Sequence, residues 1–343
     1  MNQALRIVHA VTSARFAGVE RYVADLAGAQ HAAGHRVSVI GGDPAAMLSV
    51  LGTDRIPLRA ASSVRATIRA LNRWADCDVV HVHMTATELA ATLATAARSV
   101  PVVTTRHFAR RRGSSVGGRC VAPLIERRVD AQVAISQYVA DRIEGVAAVV
   151  RTGVPVREDL PGPRGRERTV LVAQRLEPEK RTDMALRAFA RASLADEGWR
   201  LAVAGDGSQE ESLRSLAREL RIGASVDFLG RRSDVGDLMA RASVLLAPCP
   251  IEGLGLSVLE AMAAGLPVVA AASGGHLETV GAVEGATLYR PDDPEEGGLL
   301  LADLAGDPDR RAEYGERLRN RQRSAFTSEA QVTALDRVYR SLR

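Results

Sequence analysis

The chain has 343 residues, a formal net charge of +4, 46% apolar and 25% charged side chains. That length exceeds one ordinary core and suits two domains of about 150 to 180 residues; so mild a charge excess decides little by itself, and a nucleic-acid partner, which is not expected, would need a concentrated basic face. Cys77, Cys120 and Cys249 are widely spaced with no C-x-x-C pair, which excludes a disulfide framework or cysteine zinc site and points to a reducing compartment.

Met1 to Val11 has one arginine and no charged leader or small-residue cleavage site, so no export is expected. Short aliphatic runs at Leu5–Val11, Val37–Gly41, Val79–His83, Val100–Thr105 and Ala131–Ile135 read as strands, with room for a helix between neighbours. Such runs with crossover helices predict a parallel sheet covered on both faces. Arg65, Arg69 and Arg73 recur every four residues through Val64–Trp74, beside Ile68, Leu71 and Trp74. That helix can rest on anionic lipid or simply face solvent. His81 and His83 share a strand face; with no acidic or thiol companion nearby they read as packing or lining groups rather than metal ligands. Arg106, Arg110, Arg111, Arg112 and Arg119 crowd around His107, either as a solvated loop or as a surface for an anionic acceptor or lipid headgroup.

Between Gly153 and Arg168 the chain is rich in Pro, Gly and charge, which sets a domain boundary there. The predicted organisation is a first domain at 1–155, a second at 156–325, and a C-terminal helix at 326–343 able to return to the first. Strand runs resume at Thr169–Ala173, Arg200–Ala204, Ser225–Leu229, Ser243–Ala247 and Pro267–Ala271, with helices such as Asp183–Ala192 and Glu210–Leu220 between them. After Asp292 the chain reads as helical, Pro308 opening one helix and Ser328 capping the last. Leu254–Ala272 is the most apolar stretch, but Gly255, Glu260, Gly265 and Pro267 interrupt it, so it cannot span a membrane. The expectation is a cytoplasmic α/β protein of two doubly wound domains, with any membrane contact peripheral on the inner face. Ligands of open parallel sheets sit outside the carboxyl ends of strands, so two such domains imply a cleft between facing strand ends.

Forty-four of the 45 basic residues are arginine; the one lysine is Lys180, in Gln174-Arg175-Leu176-Glu177-Pro178-Glu179-Lys180. A lone lysine in such a composition suggests a site that needs a compact ammonium rather than a planar fork. The strongest local signal is Pro250-Ile251-Glu252-Gly253-Leu254-Gly255-Leu256, leading into a helix with Glu260 and closing on Gly265-Leu266-Pro267. Free N–H groups and the positive dipole end at that helix start suit a phosphate, which Gly253 and Gly255 let approach the backbone. Glu252 and Glu260 lie about 10 Å apart by helical rise, which suits two ends of one elongated ligand better than a glycosidase pair.

A glutamate, seven residues, a second glutamate and then Ala-Met-Ala-Ala-Gly resembles the signature of the retaining nucleotide-sugar glycosyltransferases of family 4 (glycosyl transferases group 1), whose two Rossmann-like domains form the GT-B fold. Arg175 and Lys180, Ala204-Gly205-Asp206-Gly207, Val226-Asp227-Phe228-Leu229-Gly230 and Gly274-Gly275-His276-Leu277-Glu278 fit the same pattern, as do Ala17-Gly18-Val19-Glu20, Asp78 to His83 and Thr104-Thr105-Arg106-His107 in the first half. The likeness covers nearly the whole chain. It implies that Arg175 and Lys180 hold the donor diphosphate and neutralise charge on the leaving nucleotide. Glu260 would receive the ribose hydroxyls, and Glu252 with Gly253, Leu254, Gly255 and Leu256 would address sugar and phosphates. Gly18 would let the first-domain loop approach the diphosphate, His107 would sit near the donor sugar, and Arg231 near the base. By this likeness the catalytic set is His107, Arg175, Lys180 and Glu252, with no metal and no cofactor beyond the sugar nucleotide.

The sequence departs from the pattern at Ala17, at Gln174 and Arg181, where glycine is frequent, and at Thr152-Gly153-Val154 in place of Asn-Gly-Val. A nucleotide-sugar epimerase and a non-catalytic sugar-nucleotide binder remain alternatives to transfer onto a hydroxyl acceptor, whether glycan, glycolipid or small metabolite. A dehydrogenase is disfavoured, since neither half opens with G-x-G-x-x-G.

Overall fold

The computed structural model describes residues 3–74, 76–95, 99–113, 116–158 and 165–343, and within 116–119 the backbone alone. Positions 159–164 of the expected linker lie outside the described residues. Met1–Gly153 with Ser328–Arg343 form one compact unit and Val154–Thr327 a second.

The first unit alternates β1 (Arg6–Val11), α1 (Gly18–Ala32), β2 (Arg36–Ile40), α2 (Pro44–Leu51), β3 (Leu58–Arg59), α3 (Val64–Leu71), β4 (Val79–His83), α4 (Thr85–Leu93), β5 (Val102–Arg106), α5 (Val116–Arg128), β6 (Ala131–Ala134), α6 (Gln137–Ala140) and β7 (Ala148–Val149). Its sheet runs β3-β2-β1-β4-β5-β6-β7, parallel throughout. Every residue of β4 and β5 is buried, as helices on both faces of a parallel sheet require. Helix α3 turns Ala70 and Leu71 into the core, with Ile68 and Trp74 packed against it. That leaves Arg65, Arg69 and Arg73 exposed.

The second unit contains β8 (Thr169–Ala173), α7 (Thr182–Arg191), β9 (Arg200–Ala204), α8 (Glu210–Glu219), β10 (Val226–Gly230), α9 (Val235–Arg241), β11 (Val244–Ala247), α10 (Leu256–Ala263), β12 (Val268–Ala271), α11 (His276–Thr279), β13 (Thr287–Tyr289), α12 (Pro294–Gly306) and α13 (Pro308–Ala325). Its parallel sheet runs β10-β9-β8-β11-β12-β13. Pro308 occupies the first turn of α13, and the Asp307 carboxylate caps it by accepting from the Arg310 N–H, a pairing that satisfies an otherwise orphaned donor. The chain then enters α14 (Ser328–Arg340), which belongs to the first unit and buries Val332, Leu335 and Tyr339.

In both sheets the chain reverses its direction of winding beside the first strand, between β1 and β4 and between β8 and β11. Crevices outside the carboxyl ends at such points are where open α/β sheets receive ligands. Among the described helices, none is long and apolar enough to cross a membrane.

Candidate active site

At the β8/β11 switch point two loops meet. One leaves β8 at Ala173 and carries Gln174, Arg175 and Lys180; the other leaves β11 at Ala247 and carries Cys249 and Glu252. The first is seated by close backbone contact, since a Cβ at Gly205 would lie 1.8 Å from the Gln174 carbonyl oxygen and one at Gly207 2.4 Å from that of Leu176. Only glycine permits these approaches. The second loop is held the same way by Gly275, where a Cβ would lie 2.3 Å from the Leu254 Cα.

Lys180 Nζ donates to Glu252 Oε2 at 2.6 Å, with the two side chains 18% and 24% exposed. Burial disfavours both charges, but their mutual attraction prevails: Glu252 is held below the usual carboxylate range and Lys180 above the usual amine value. The pair is therefore an ammonium and a carboxylate at neutral pH. Cys249 lies beside it and donates from Sγ to the Glu179 carbonyl at 3.4 Å; burial pushes its thiol up to about 11. His276 is buried, pairs through Nδ1 with the Ala271 carbonyl at 3.0 Å, and lines the same small cavity as Gln174, Cys249, Glu252 and Gly255.

Gln174 clips the lysine loop, donating from Nε2 to the Lys180 carbonyl and to Thr182 Oγ1, each at 2.9 Å. Arg181, in the left-handed region at φ 53°, turns its guanidinium to Asp183 and Asp292. The extra side chains at these two glycine-like positions thus shape the loop rather than crowd the ammonium. Arg175 is exposed and pairs with Glu179 at 2.8 Å, so it does not share Glu252 with Lys180. Gly253 and Leu254 are buried, Gly255 precedes α10 at φ 90°, Leu256 opens that helix, and Glu260 is half-buried one helical stretch further on. Arg231 lies exposed just past β10.

In the first unit, Gly18 opens α1, whose start is closed by Glu20 accepting from the Ala17 N–H at 2.9 Å. His107, just past β5, contacts the edge of the Tyr22 ring, with centroids 4.7 Å apart, and pairs with His83 at 3.1 Å. Desolvation pulls its pKa down to about 3, although part of the residue stays accessible. His9, His81 and His83 stand together with ring nitrogens within 4.8 Å of one another, a grouping that could hold a metal ion. Each of their ring nitrogens, however, already lies within hydrogen-bond reach of a protein group.

The expected basic surface at Arg106–Arg112 is corrected by the structure. Arg112 is buried and makes a bidentate pair with Glu88, both bonds at 2.7 Å, while its third nitrogen reaches Glu144 at 2.6 Å. Arg106 is buried too, bonded to Glu144 at 2.5 Å and to Gln132 at 3.0 Å. Fork geometry favours such carboxylate pairing over exposure. Arg110 and Arg111 remain exposed, and the Arg119 side chain lies outside the described residues.

The family model for glycosyl transferases group 1 matches residues 159–321, and that for glycosyltransferase family 4 matches residues 16–157. A glycogen synthase of Mycobacterium tuberculosis is 30% identical over 285 residues, covering 76% of this chain and 68% of that protein. A GDP-mannose-dependent monoacylated alpha-(1-6)-phosphatidylinositol monomannoside mannosyltransferase of Corynebacterium glutamicum is 35% identical over 150 residues, or 41% of this chain and 39% of that one. Several other curated relatives match over stretches that span between 19% and 41% of their own length. Among solved structures, HepE of Anabaena in complex with UDP and glucose superposes with a TM-score of 0.80 at 20% identity, covering 98% of this chain and 99% of that one; the likeness is one of fold.

Proposed function

The chain belongs to the family 4 glycosyltransferases, the glycosyl transferases group 1, and on that premise we propose that it moves a hexose-type sugar from a nucleotide diphosphate sugar to a hydroxyl acceptor, with retention and without an essential metal. The observation that carries this reading is the Lys180–Glu252 contact at 2.6 Å across the switch point of the second sheet. An ammonium there neutralises a diphosphate and the charge that develops on it as the glycosidic bond breaks. Glu252 keeps that ammonium in place and offers its remaining oxygen to a sugar hydroxyl. The start of α10, with Gly253 and Gly255 before it, supplies backbone N–H groups to the same anion. Glu260 receives the ribose, Arg175 exchanges Glu179 for phosphate, Arg231 attends the base, and His107 and Gly18 act from the first unit.

Relatives and neighbours use GDP-mannose or bind UDP and glucose, so both bases belong in the test. A thermal-shift panel of UDP, GDP, ADP and TDP sugars checks the reading, because a donor at 100 times its dissociation constant stabilises by about 2.7 kcal/mol. One donor class raising the melting temperature, undiminished by EDTA, supports it; a flat panel contradicts it. Product stereochemistry by NMR then tests retention.

A further inference from the structure

Four histidines of the first unit, His9, His81, His83 and His107, form one unbroken hydrogen-bonded series. His107 Nε2 meets His83 Nδ1 at 3.1 Å, His83 Nε2 meets His9 Nδ1 at 3.1 Å, and His9 Nε2 meets Gln30 Oε1 at 2.6 Å. Gln30 Nε2 then donates to Tyr339 Oη at 3.2 Å, Tyr339 Oη meets His81 Nδ1 at 2.5 Å, and His81 Nε2 meets Thr105 Oγ1 at 2.7 Å. Apart from His107, these side chains are essentially sealed from solvent. A neutral imidazole has one donor and one acceptor, so each ring passes a direction to the next.

Only an amide has an end that accepts and an end that donates without any proton moving, and Gln30 is the one amide in the series. With its Oε1 set toward His9 and its NH2 toward Tyr339, Gln30 places the His9 proton on Nε2 and a lone pair on Nδ1; the flipped amide would reverse every ring of the series. His83 must then donate from Nε2, and His107 must do the same. On the other arm the Gln30 NH2 makes Tyr339 an acceptor from it and a donor to His81, whose Nε2–H goes to Thr105. Every bond is satisfied with neutral rings. A protonated ring would set donor against donor, and desolvation keeps all four rings neutral, His9 with a pKa down to about 4. A metal ion would likewise need lone pairs that this series already uses.

We propose that Gln30 is a positioning residue that fixes, through His9 and His83, the Nε2–H tautomer of His107 and so leaves the His107 Nδ1 lone pair as an acceptor. The consequence for chemistry rests on the reading of His107 as a donor-site residue: its free nitrogen accepts a hydrogen bond from a sugar hydroxyl rather than donating one. The tautomer assignment itself does not depend on that reading.

Long-range proton–nitrogen NMR on the full chain with 15N-labelled histidine tests it, because the shifts of the two ring nitrogens report which is protonated. In the wild type, His9, His83 and His107 are expected to share the Nε2–H form. Gln30→Leu, which removes both ends of the amide, is expected to lose it and to lower kcat in donor turnover. A wild-type His107 protonated on Nδ1, or mixed tautomers along the three rings, overturns the proposal; so does a folded Gln30→Leu protein with an unchanged His107. Should Gln30→Leu fail to fold, the wild-type spectrum decides. Loss of turnover without tautomer change would count against Gln30, whereas a donor panel without binding would count against the functional reading alone.

Discussion

Lys180 and Glu252, 72 positions apart in the chain, meet at 2.6 Å at the point where the second sheet reverses its winding. Each is held there by backbone packed too tightly for any residue but glycine, Gly205 and Gly207 under one loop and Gly275 under the other. The pair is thus part of the architecture and, under the proposed function, also the group that meets the donor diphosphate.

Replacing Lys180 therefore acts twice. Lys180→Ala is expected to cost about 2 to 4 kcal/mol in transition-state stabilisation, read from kcat/KM for donor turnover. Lys180→Arg is expected to impair turnover as well, because a planar fork cannot replace a compact ammonium seated on one carboxylate oxygen. Full activity in Lys180→Arg would mean that any positive charge serves.

The pair also sets a pH dependence. Glu252 is depressed in the folded state by Lys180, so its contribution to stability is present above the ordinary carboxylate value and is lost as pH falls through the lowered one. In Lys180→Ala burial, the largest influence on Glu252, is opposed only by the weaker effects of His276 and Cys249 and is expected to raise the carboxyl. The carboxylate then opposes folding at neutral pH, and the deficit relative to wild type is expected to shrink as pH falls toward 4. A deficit independent of pH would contradict this.

The buried histidines act at higher pH. The ordinary value is 6.5, while His9 falls to about 4, His107 to about 3, and His81 and His83 well below the ordinary value. Between about pH 6.5 and 4 the unfolded chain binds more protons than the folded one, so stability falls as pH falls, by up to about 1.4 kcal/mol per pH unit for each ring. Urea unfolding at pH 7.5 and pH 5 is expected to show a steep loss; equal midpoints would contradict the burial of these rings.

The arginine-rich loop separates structural from surface charge. Arg112→Ala leaves Glu88 buried without its bidentate partner and is expected to destabilise by about 3 to 5 kcal/mol, read from chemical denaturation. Arg110→Ala and Arg111→Ala, both at exposed positions, are expected to stay within about 0.5 kcal/mol of wild type. If vesicles of anionic lipid bind the protein, the exposed Arg65, Arg69 and Arg73 of the α3 segment are the groups to neutralise, and Arg112 is not.

Much of this was legible in the sequence because parallel-sheet strands are short continuous aliphatic runs. Val79–His83, Thr169–Ala173 and Arg200–Ala204 coincide with β4, β8 and β9, and the remaining predicted strands differ from the observed ones by a residue or two at their ends. β3, β7 and β13 have two or three residues each, too few to show any period. Lys180 and Glu252 stand out because both follow strand ends within recognisable motifs. The Arg112–Glu88 pair does not, since its members are 24 residues apart with no pattern joining them. The histidine series is half visible: His81 and His83 share a face by alternation, but His9 joins them only through the register that sets it opposite His81. Gln30 and Tyr339 come from a helix face and from the last helix, 309 positions apart. No local signal marks either.

The account is tested most directly by calorimetric titration of the full chain with UDP-glucose, GDP-mannose, ADP-glucose and TDP-glucose, repeated on Lys180→Ala. It predicts that one donor class binds the wild type and binds the variant about tenfold or more weakly, the loss of a charge-assisted hydrogen bond. Equal affinity in the two proteins, or no binding of any sugar nucleotide to the wild type, would contradict it.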